Sequence, residues 1–202
     1  MVFGTIAFTQ ALLPHFRTRR TGHVLNISSV GSIQQLPSWG AYCAAKAAMN
    51  AFTDSLHTEI KMFGVQVLSI LPGYFPTPFM FTAGRRPTYK ASMVYTDPSQ
   101  GFGGPELVHD YYRESGVLGD VGKFAERIFE IVTKTGMAKD LVMKKGQTYD
   151  WTMVPLGEDT ELKVKEKLVT MLDNVQGTEA LWRSVNMDPE AQKLVPKFND
   201  SA

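Results

Sequence analysis

GHVLNISS, residues 22–29, decides the fold class of this chain. The run is short and almost wholly apolar, contains Val and Ile, and follows a turn, which together predict a strand buried on both faces. A second run of this kind, VQVLSIL at residues 65–71, is ended by a Pro-Gly pair. Two strands of this type predict a parallel sheet that helices cover on both faces.

Helical segments precede both runs. Phe3 to Arg17 places apolar residues at mixed three- and four-residue spacing, and we expect this helix to stop at the Thr21-Gly22 turn. Ser38 to Phe63 contains no proline, is rich in Ala and Lys, and precedes Gly64, a residue type that often ends a helix. The order helix, strand, helix, strand predicts an α/β protein with right-handed crossovers.

The rest of the chain is less regular. Residues 79–122 mix aromatic side chains with Gly, Pro and Ser, and long irregular segments of compact domains are usually lids or binding loops. Beyond them we expect a helix at 123–135, a third strand at 150–154, and amphipathic helices at 159–174 and 179–185. No repeat or linker divides the 202 residues, so one domain is predicted.

Composition narrows the classes of function. With 21 Lys+Arg against 20 Asp+Glu the net charge is +1, so no basic surplus indicates a nucleic-acid partner. Cys43 is the single cysteine, and the four histidines show no metal-ligand spacing with it, so we expect neither a disulfide nor a metal. No run reaches the roughly 18 apolar residues of a membrane-spanning helix, so we expect no membrane partner and a cytoplasmic protein.

Tyr42 and Lys46 lie four residues apart in the long helix and so share one of its faces. A phenol is a poor acid or base at neutral pH, but a nearby ammonium group favours the phenolate, so we expect Lys46 to lower the pKa of Tyr42. Ser29 stands thirteen residues before Tyr42, after the first strand, where open α/β sheets place ligand-binding groups. Its hydroxyl is the candidate to hold a substrate oxygen, with Ser28 as the less favoured alternative.

The order and spacing of these residues resemble the classical short-chain dehydrogenases/reductases. The resemblance covers residues 2–77 and rests on GHVLNISS at 22–29, Pro37, Tyr42, the run Ala45-Lys46-Ala47-Ala48, Leu71-Pro72-Gly73 and Thr77. It implies a Rossmann-like doubly wound parallel sheet. Residues 1–202 would then form a single partial domain, with a catalytic core segment at 1–77, a substrate lid at 79–122, and a helix, the last strand and the C-terminal helices at 123–202.

The resemblance also implies an NAD(P)-dependent oxidoreductase that interconverts a carbonyl and an alcohol. In this family the residue at Tyr42 transfers the proton on the substrate oxygen, and the one at Ser29 hydrogen-bonds that oxygen. The residue at Lys46 lowers the pKa of the tyrosine and binds the nicotinamide ribose. The implied cofactor-binding residues are Tyr42, Lys46, Pro72, Gly73 and Thr77. The cofactor is NAD or NADP, with NADP slightly favoured, and the protein is expected to be a homo-oligomer acting on a small-molecule carbonyl or alcohol.

The first half of the family pattern has no counterpart in this sequence. No glycine-rich turn joins a strand to a helix, and the family's relay asparagine falls on Met1. We therefore expect a chain that lacks the N-terminal dinucleotide-binding half and whose own cofactor binding is negligible at ordinary working concentrations. The helices of that half would also be missing from the sheet, so four apolar side chains of the two strands should be only partly covered. They are Leu25, Ile27, Val67 and Ile70.

Two other functions stay open beside the oxidoreductase. The chain is alternatively a truncated isoform that acts only as a partner subunit or is inactive. A nucleic-acid or membrane-surface module based on Arg17, Arg19 and Arg20 is the least favoured, because charges at a helix end are usually solvated.

Three further residues of the long helix are not expected to carry chemistry. Cys43 should be a small packed residue rather than a nucleophile, because no histidine is placed to activate it. His57 and Glu59 are expected at the surface. For the aromatic side chains between Phe79 and Tyr112, two interpretations have equal weight: ordinary core, or an apolar substrate pocket.

Overall fold

The structure, a computed structural model, describes residues 1–35, 39–78, 118–142 and 151–186. Pro37 and most of the expected lid, residues 79–117, lie outside the described residues. The helices and strands of the described part are α1 (Val2–Arg19), β1 (Gly22–Ile27), α2 (Gly40–Ile60), β2 (Val65–Pro72), α3 (Val121–Thr133), α4 (Gly136–Val142), β3 (Met153–Leu156), α5 (Glu158–Gly177) and α6 (Glu179–Ser184).

The three strands form one parallel sheet in the order β1-β2-β3. Val24 of β1 pairs with Val67 of β2, and Ile70 of β2 pairs with Val154 of β3. The prediction of an α/β chain with a parallel sheet is confirmed. Because all three strands are parallel, their carboxyl ends lie at the same edge of the sheet, where such folds place ligand-binding groups.

Apolar side chains of β2 alternate between the two faces of the sheet. On one face β2 packs against α1 and α2, and on the other it packs against α3 and α4. The buried residues of the first cluster are Leu13, Leu56, Ile60, Val65 and Val67. Those of the second cluster are Leu68, Ile70, Ile131 and Ala138. Helices therefore cover both faces of the central strand, as its continuous apolar run predicts.

The prediction that apolar side chains of both strands are only partly covered is wrong for β2 and confirmed for β1. Val67 and Ile70 are fully buried, whereas Leu25 is half-buried and Ile27 is 44% exposed. The difference follows from position in the sheet. β2 has a neighbouring strand on each side and helices on both faces, while β1 is at the edge of the described sheet.

Element boundaries differ from the sequence prediction by a few residues. Helix α2 begins at Gly40, and the predicted last turn, Lys61–Phe63, is a tighter 3-10 turn. Gly64 ends it with a φ of 71°, as expected, and its Cβ would lie 2.6 Å from the carbonyl oxygen of Arg20. Helix α3 begins at Val121 and so takes the last two residues of the expected lid, because the Asp120 side chain accepts a hydrogen bond from the main-chain N–H of Lys123.

The chain divides into two compact units, residues 1–165 and 166–202. The first contains the sheet and the helices that cover it. In the second, Arg183 pairs with Glu179 at 2.6 Å, and the indole of Trp182 donates to the carbonyl oxygen of Val175 at 2.9 Å. Among the described helices, none combines the length and the apolar character needed to cross a membrane.

Candidate active site

Ser28 and Ser29 follow β1 and point in different directions, as successive residues of an extended chain do. Ser28 is buried, and its hydroxyl donates to the carbonyl oxygen of Lys46 at 3.2 Å. Ser29 has extended backbone, and its hydroxyl accepts from the main-chain N–H of Gly31 at 3.0 Å, so it caps the short 3-10 turn Val30–Ser32. The geometry thus favours Ser29 over Ser28 as the serine that is available to a substrate.

Tyr42 lies in the first turn of α2 and meets Ser29. A side-chain hydrogen bond joins the two hydroxyl groups, and the ring of Trp39 packs edge-on against Tyr42 with centroids 5.5 Å apart. A Cβ at Gly31 would lie 3.2 Å from the Tyr42 ring, closer than nine in ten real contacts of this kind. The glycine therefore lets the loop after β1 approach the phenol closely.

Lys46 stands one helical turn after Tyr42, and both side chains are half-buried. The Lys46 ammonium donates to the main-chain carbonyl oxygen of Ile27 at 2.8 Å and lies 5.9 Å from the centroid of the Tyr42 ring. The end of β1 is thus tied to α2 by a charged donor. The structure brings Ser29, Tyr42 and Lys46 together at the carboxyl end of the strand.

The expectation that Lys46 lowers the pKa of Tyr42 is wrong for this structure. Burial raises the pKa of Tyr42, the hydrogen bond with Ser29 opposes that change, and the neighbouring Cys43 adds to it. Burial also lowers the pKa of Lys46. The reason is that partial removal from water disfavours the charged form of each group. In addition, the ammonium group is engaged with a carbonyl rather than with the phenol oxygen.

Two buried polar contacts that the sequence analysis missed hold the end of β1 against α2. The amide of Asn50 donates to the Ser32 hydroxyl at 2.8 Å, and that hydroxyl donates to the carbonyl oxygen of Ser29 at 2.6 Å. The amide of Asn26 donates to Thr53 at 2.9 Å. In the sequence, both contacts could have been predicted from Asn50 and Thr53, two polar residues on the otherwise apolar face of the long helix α2.

The carboxyl end of β2, the strand next to β1, carries the second group of predicted residues: Pro72, Gly73 and Thr77. Pro72 is the last residue of β2 and pairs with Leu156, and the N–H of Gly73 donates to the Leu156 carbonyl oxygen at 3.0 Å. The N–H of Thr77 donates to the carbonyl oxygen of Phe75 at 2.8 Å. This second group of predicted residues therefore lies at the same edge of the sheet as Ser29.

Cys43 and His57 are both buried. Cys43 is 3% exposed and its thiol contacts the carbonyl oxygen of Gln34 at 3.7 Å, in agreement with a packed residue. The expected surface position of His57 is wrong, because the ring is 6% exposed and its Nδ1 lies 3.3 Å from the carbonyl oxygen of Val67. Within the described ranges, no group of three or more His, Cys, Asp or Glu side chains could hold a metal ion.

The buried thiol leads to a simple prediction. In the folded protein we expect a thiol reagent to label Cys43 at less than about a hundredth of the rate in denaturant, because labelling requires local opening. Stopped labelling followed by mass spectrometry measures both rates, and Cys43→Ser should remove the signal. Complete labelling within the mixing time in native buffer would show that the thiol is accessible.

Comparisons with known proteins find similarity to short-chain dehydrogenases and to proteins named dehydrogenase/reductase. Residues 1–87 match the family model described as short chain dehydrogenase. The Bos taurus protein named dehydrogenase/reductase SDR family member 7B is 36% identical over 108 residues, which cover 54% of this chain and 33% of that protein. A Drosophila melanogaster protein named dehydrogenase/reductase SDR family protein 7-like is 42% identical over 81 residues, 40% of this chain and 25% of that protein.

The fold has a counterpart among solved structures. A short-chain dehydrogenase from Streptomyces avermitilis superposes with a TM-score of 0.65 at 27% identity, covering 92% of this chain and 60% of that one. The Rossmann-like α/β fold is therefore confirmed, and the match of residues 1–87 agrees with the resemblance over less than half of the chain. The chain spans a third or less of the length of the two curated relatives. The expected lack of an N-terminal half stays a prediction.

Proposed function

We propose, because residues 1–87 match the short-chain dehydrogenase family model, that this chain carries the proton-transfer site of an NAD(P)-dependent oxidoreductase. The reaction is the interconversion of a carbonyl and an alcohol. The observation that carries the proposal is the hydrogen-bonded pair of Ser29 and Tyr42 at the carboxyl end of β1, with Lys46 one turn further along α2.

Each of the three side chains has a role that its chemistry supports. The phenol of Tyr42 donates a proton to the carbonyl oxygen in reduction and accepts one from the alcohol in oxidation. The hydroxyl of Ser29, fixed by its bond from the Gly31 N–H, holds the same substrate oxygen beside the phenol. The ammonium of Lys46, which donates to the carbonyl oxygen of Ile27, ties α2 to the end of β1 and would bind the ribose of the cofactor.

The donor set also fits the nicotinamide end of a dinucleotide. Tyr42 and Lys46 present a phenol and an ammonium on one half-buried helix face, and both can bond the ribose hydroxyls. Pro72, Gly73 and Thr77 at the end of β2 would line the nicotinamide. When bound, the cofactor supplies or takes up the hydride. NAD and NADP both satisfy this donor set, and we favour NADP slightly.

The substrate in this proposal is a small-molecule carbonyl or alcohol, and residues 79–122 would form the lid over it. A homo-oligomer is part of the same proposal. The alternative, a truncated chain that acts only as a partner subunit or is inactive, predicts no turnover by the 202-residue chain itself.

The pH dependence of turnover tests the proposed function. Burial raises the pKa of Tyr42 above its usual value of 10.0, so the phenol is protonated at neutral pH. Reduction of a carbonyl needs that proton and should stay constant from neutral pH to about pH 9. Oxidation of an alcohol needs the phenolate, so its rate should still be rising at about pH 10.

Initial rates in both directions, for a panel of ketones, aldehydes and secondary alcohols with each cofactor, measure these profiles. Ser29→Ala is the informative comparison, because it removes the hydrogen bond that favours the phenolate. The oxidation profile of this variant should move to higher pH. An oxidation rate that levels off near neutral pH, or a profile that Ser29→Ala leaves in place, would contradict the role given to Tyr42.

A further inference from the structure

We propose that Asp159 is a positioning residue, which holds the Pro72–Gly73–Tyr74 turn against the sheet from the first turn of α5. The contact joins two segments that are 85 residues apart in the chain, the N–H of Tyr74 and the carboxylate of Asp159. Its consequence for the cofactor rests on the proposed function, which gives Pro72 and Gly73 to the nicotinamide.

The hydrogen bond is well formed. The main-chain N–H of Tyr74 donates to Oδ2 of Asp159 at 2.8 Å, in a partly buried setting, and the carboxylate also accepts from the N–H of Thr160. At the residue before Tyr74, the N–H of Gly73 donates to the carbonyl oxygen of Leu156 at 3.0 Å. The ends of β2 and β3 and the start of α5 therefore meet around one carboxylate.

Two glycines make the space for this carboxylate. A Cβ at Gly73 would overlap both oxygens of Asp159, and its distance to the carboxyl carbon would be 2.5 Å. A Cβ at Gly157 would lie 2.5 Å from Oδ1 of the same side chain. Gly157 has a φ of +133°, whereas the φ of Gly73 is outside the left-handed region. Gly73 is therefore required for room and not for backbone conformation.

The surroundings of Asp159 in the folded protein disfavour its negative charge. Burial raises the pKa of this carboxyl group, the hydrogen bonds from the main chain oppose the change, and the negative charge of Glu158 adds to it. Because the folded state disfavours the charged form, Asp159→Asn should not be less stable than the parent at neutral pH. An asparagine also keeps an oxygen that can accept from Tyr74.

Hydrogen exchange of the Tyr74 amide tests the contact without any cofactor. In Asp159→Ala this amide should exchange about tenfold faster or more, because its acceptor is gone. Asp159→Asn should retain most of the protection. Glu158→Ala is the matched control, since it removes an exposed carboxylate from the same helical turn. Equal exchange in the parent and Asp159→Ala would overturn the proposal.

A double substitution gives a second, independent test. Gly73→Ala should lower the melting temperature by about 5 °C or more, because the new methyl group meets the carboxylate. Adding Asp159→Ala removes the obstacle, so the double variant should melt above Gly73→Ala alone. Additive losses in the double variant would show that Gly73 faces something other than Asp159.

The effect on the cofactor separates this proposal from the proposed function. In a form of the protein that binds NADH or NADPH, Asp159→Ala should raise the KM for the dinucleotide about tenfold and change kcat less than about threefold. Asp159→Asn should restore most of the affinity. An unaltered KM in Asp159→Ala would overturn the positioning role. No dinucleotide binding by any form of the protein that contains residues 1–202 would count against the proposed function, while the exchange experiment would still decide the role of Asp159.

Discussion

Tyr42→Phe is expected to lower turnover by about 100- to 10,000-fold, the usual range for loss of a general acid or base. The substitution removes one oxygen atom and leaves the ring, which packs against Trp39, in place. The proton donor is lost, whereas the Lys46 ammonium and the turn after β2 are untouched. Dinucleotide affinity should therefore fall much less than turnover, because only one ribose contact is lost, and the melting temperature should change little.

The measurement is steady-state kinetics of the active protein that contains residues 1–202, with a carbonyl panel and both reduced cofactors. Fluorescence titration of NADH and NADPH gives the affinity of the same preparations. Ser29→Ala should show a smaller loss than Tyr42→Phe, because it removes a group that holds the substrate oxygen but does not supply the proton. If Tyr42→Phe retained turnover within about tenfold of the parent, Tyr42 would not be the general acid.

Self-association of the chain through β1 is the second large effect that we expect. The N–H of Ser28 donates to Ile70 of β2, so the main-chain groups of the preceding residue, Ile27, face away from β2. Those of His23 and Leu25 face the same way by alternation, whereas the outward carbonyl oxygen of Ile27 already accepts from the Lys46 ammonium. No charged residue, proline or glycine interrupts residues 24–28, and natural edge strands usually carry one.

A groove beside β1 adds to this expectation. It has a volume of about 690 Å³ and is lined by α1, β1 and the start of α2, with Phe8, Leu25 and Met49 among the lining residues. Apolar lining next to outward-facing backbone groups favours the pairing of another extended segment at this edge. In a preparation of the chain alone, the segment available for that pairing belongs to a second copy.

Sedimentation velocity over a concentration series measures this association. The average mass of the parent should rise with concentration, and Ile27→Lys should weaken the association about tenfold or more, because lysine on an edge strand opposes pairing. Phe3→Lys is the control, since Phe3 is 85% exposed on α1 and does not line the groove. A parent that sediments as a single monomer at every concentration would contradict the prediction.

The local structure of this protein could be predicted from short stretches of its sequence. The apolar runs of β1 and β2, the long proline-free helix α2 and the glycine that ends it all depend on neighbours within a few residues. The pairing of Tyr42 with Lys46 follows from helical geometry alone, and the thirteen-residue spacing from Ser29 to Tyr42 matched a family pattern. Each of these inferences used only distances along the chain.

Burial and contacts between distant segments were decided by the tertiary structure. The direction of the pKa shift of Tyr42 depends on how far water is excluded from the phenol, which no spacing reveals. His57 is buried because α2 lies across β2, although its helix position gave no sign of it. Asp159 reaches Tyr74 only because β2 and β3 end side by side, which brings residues far apart in the chain to one edge of the sheet.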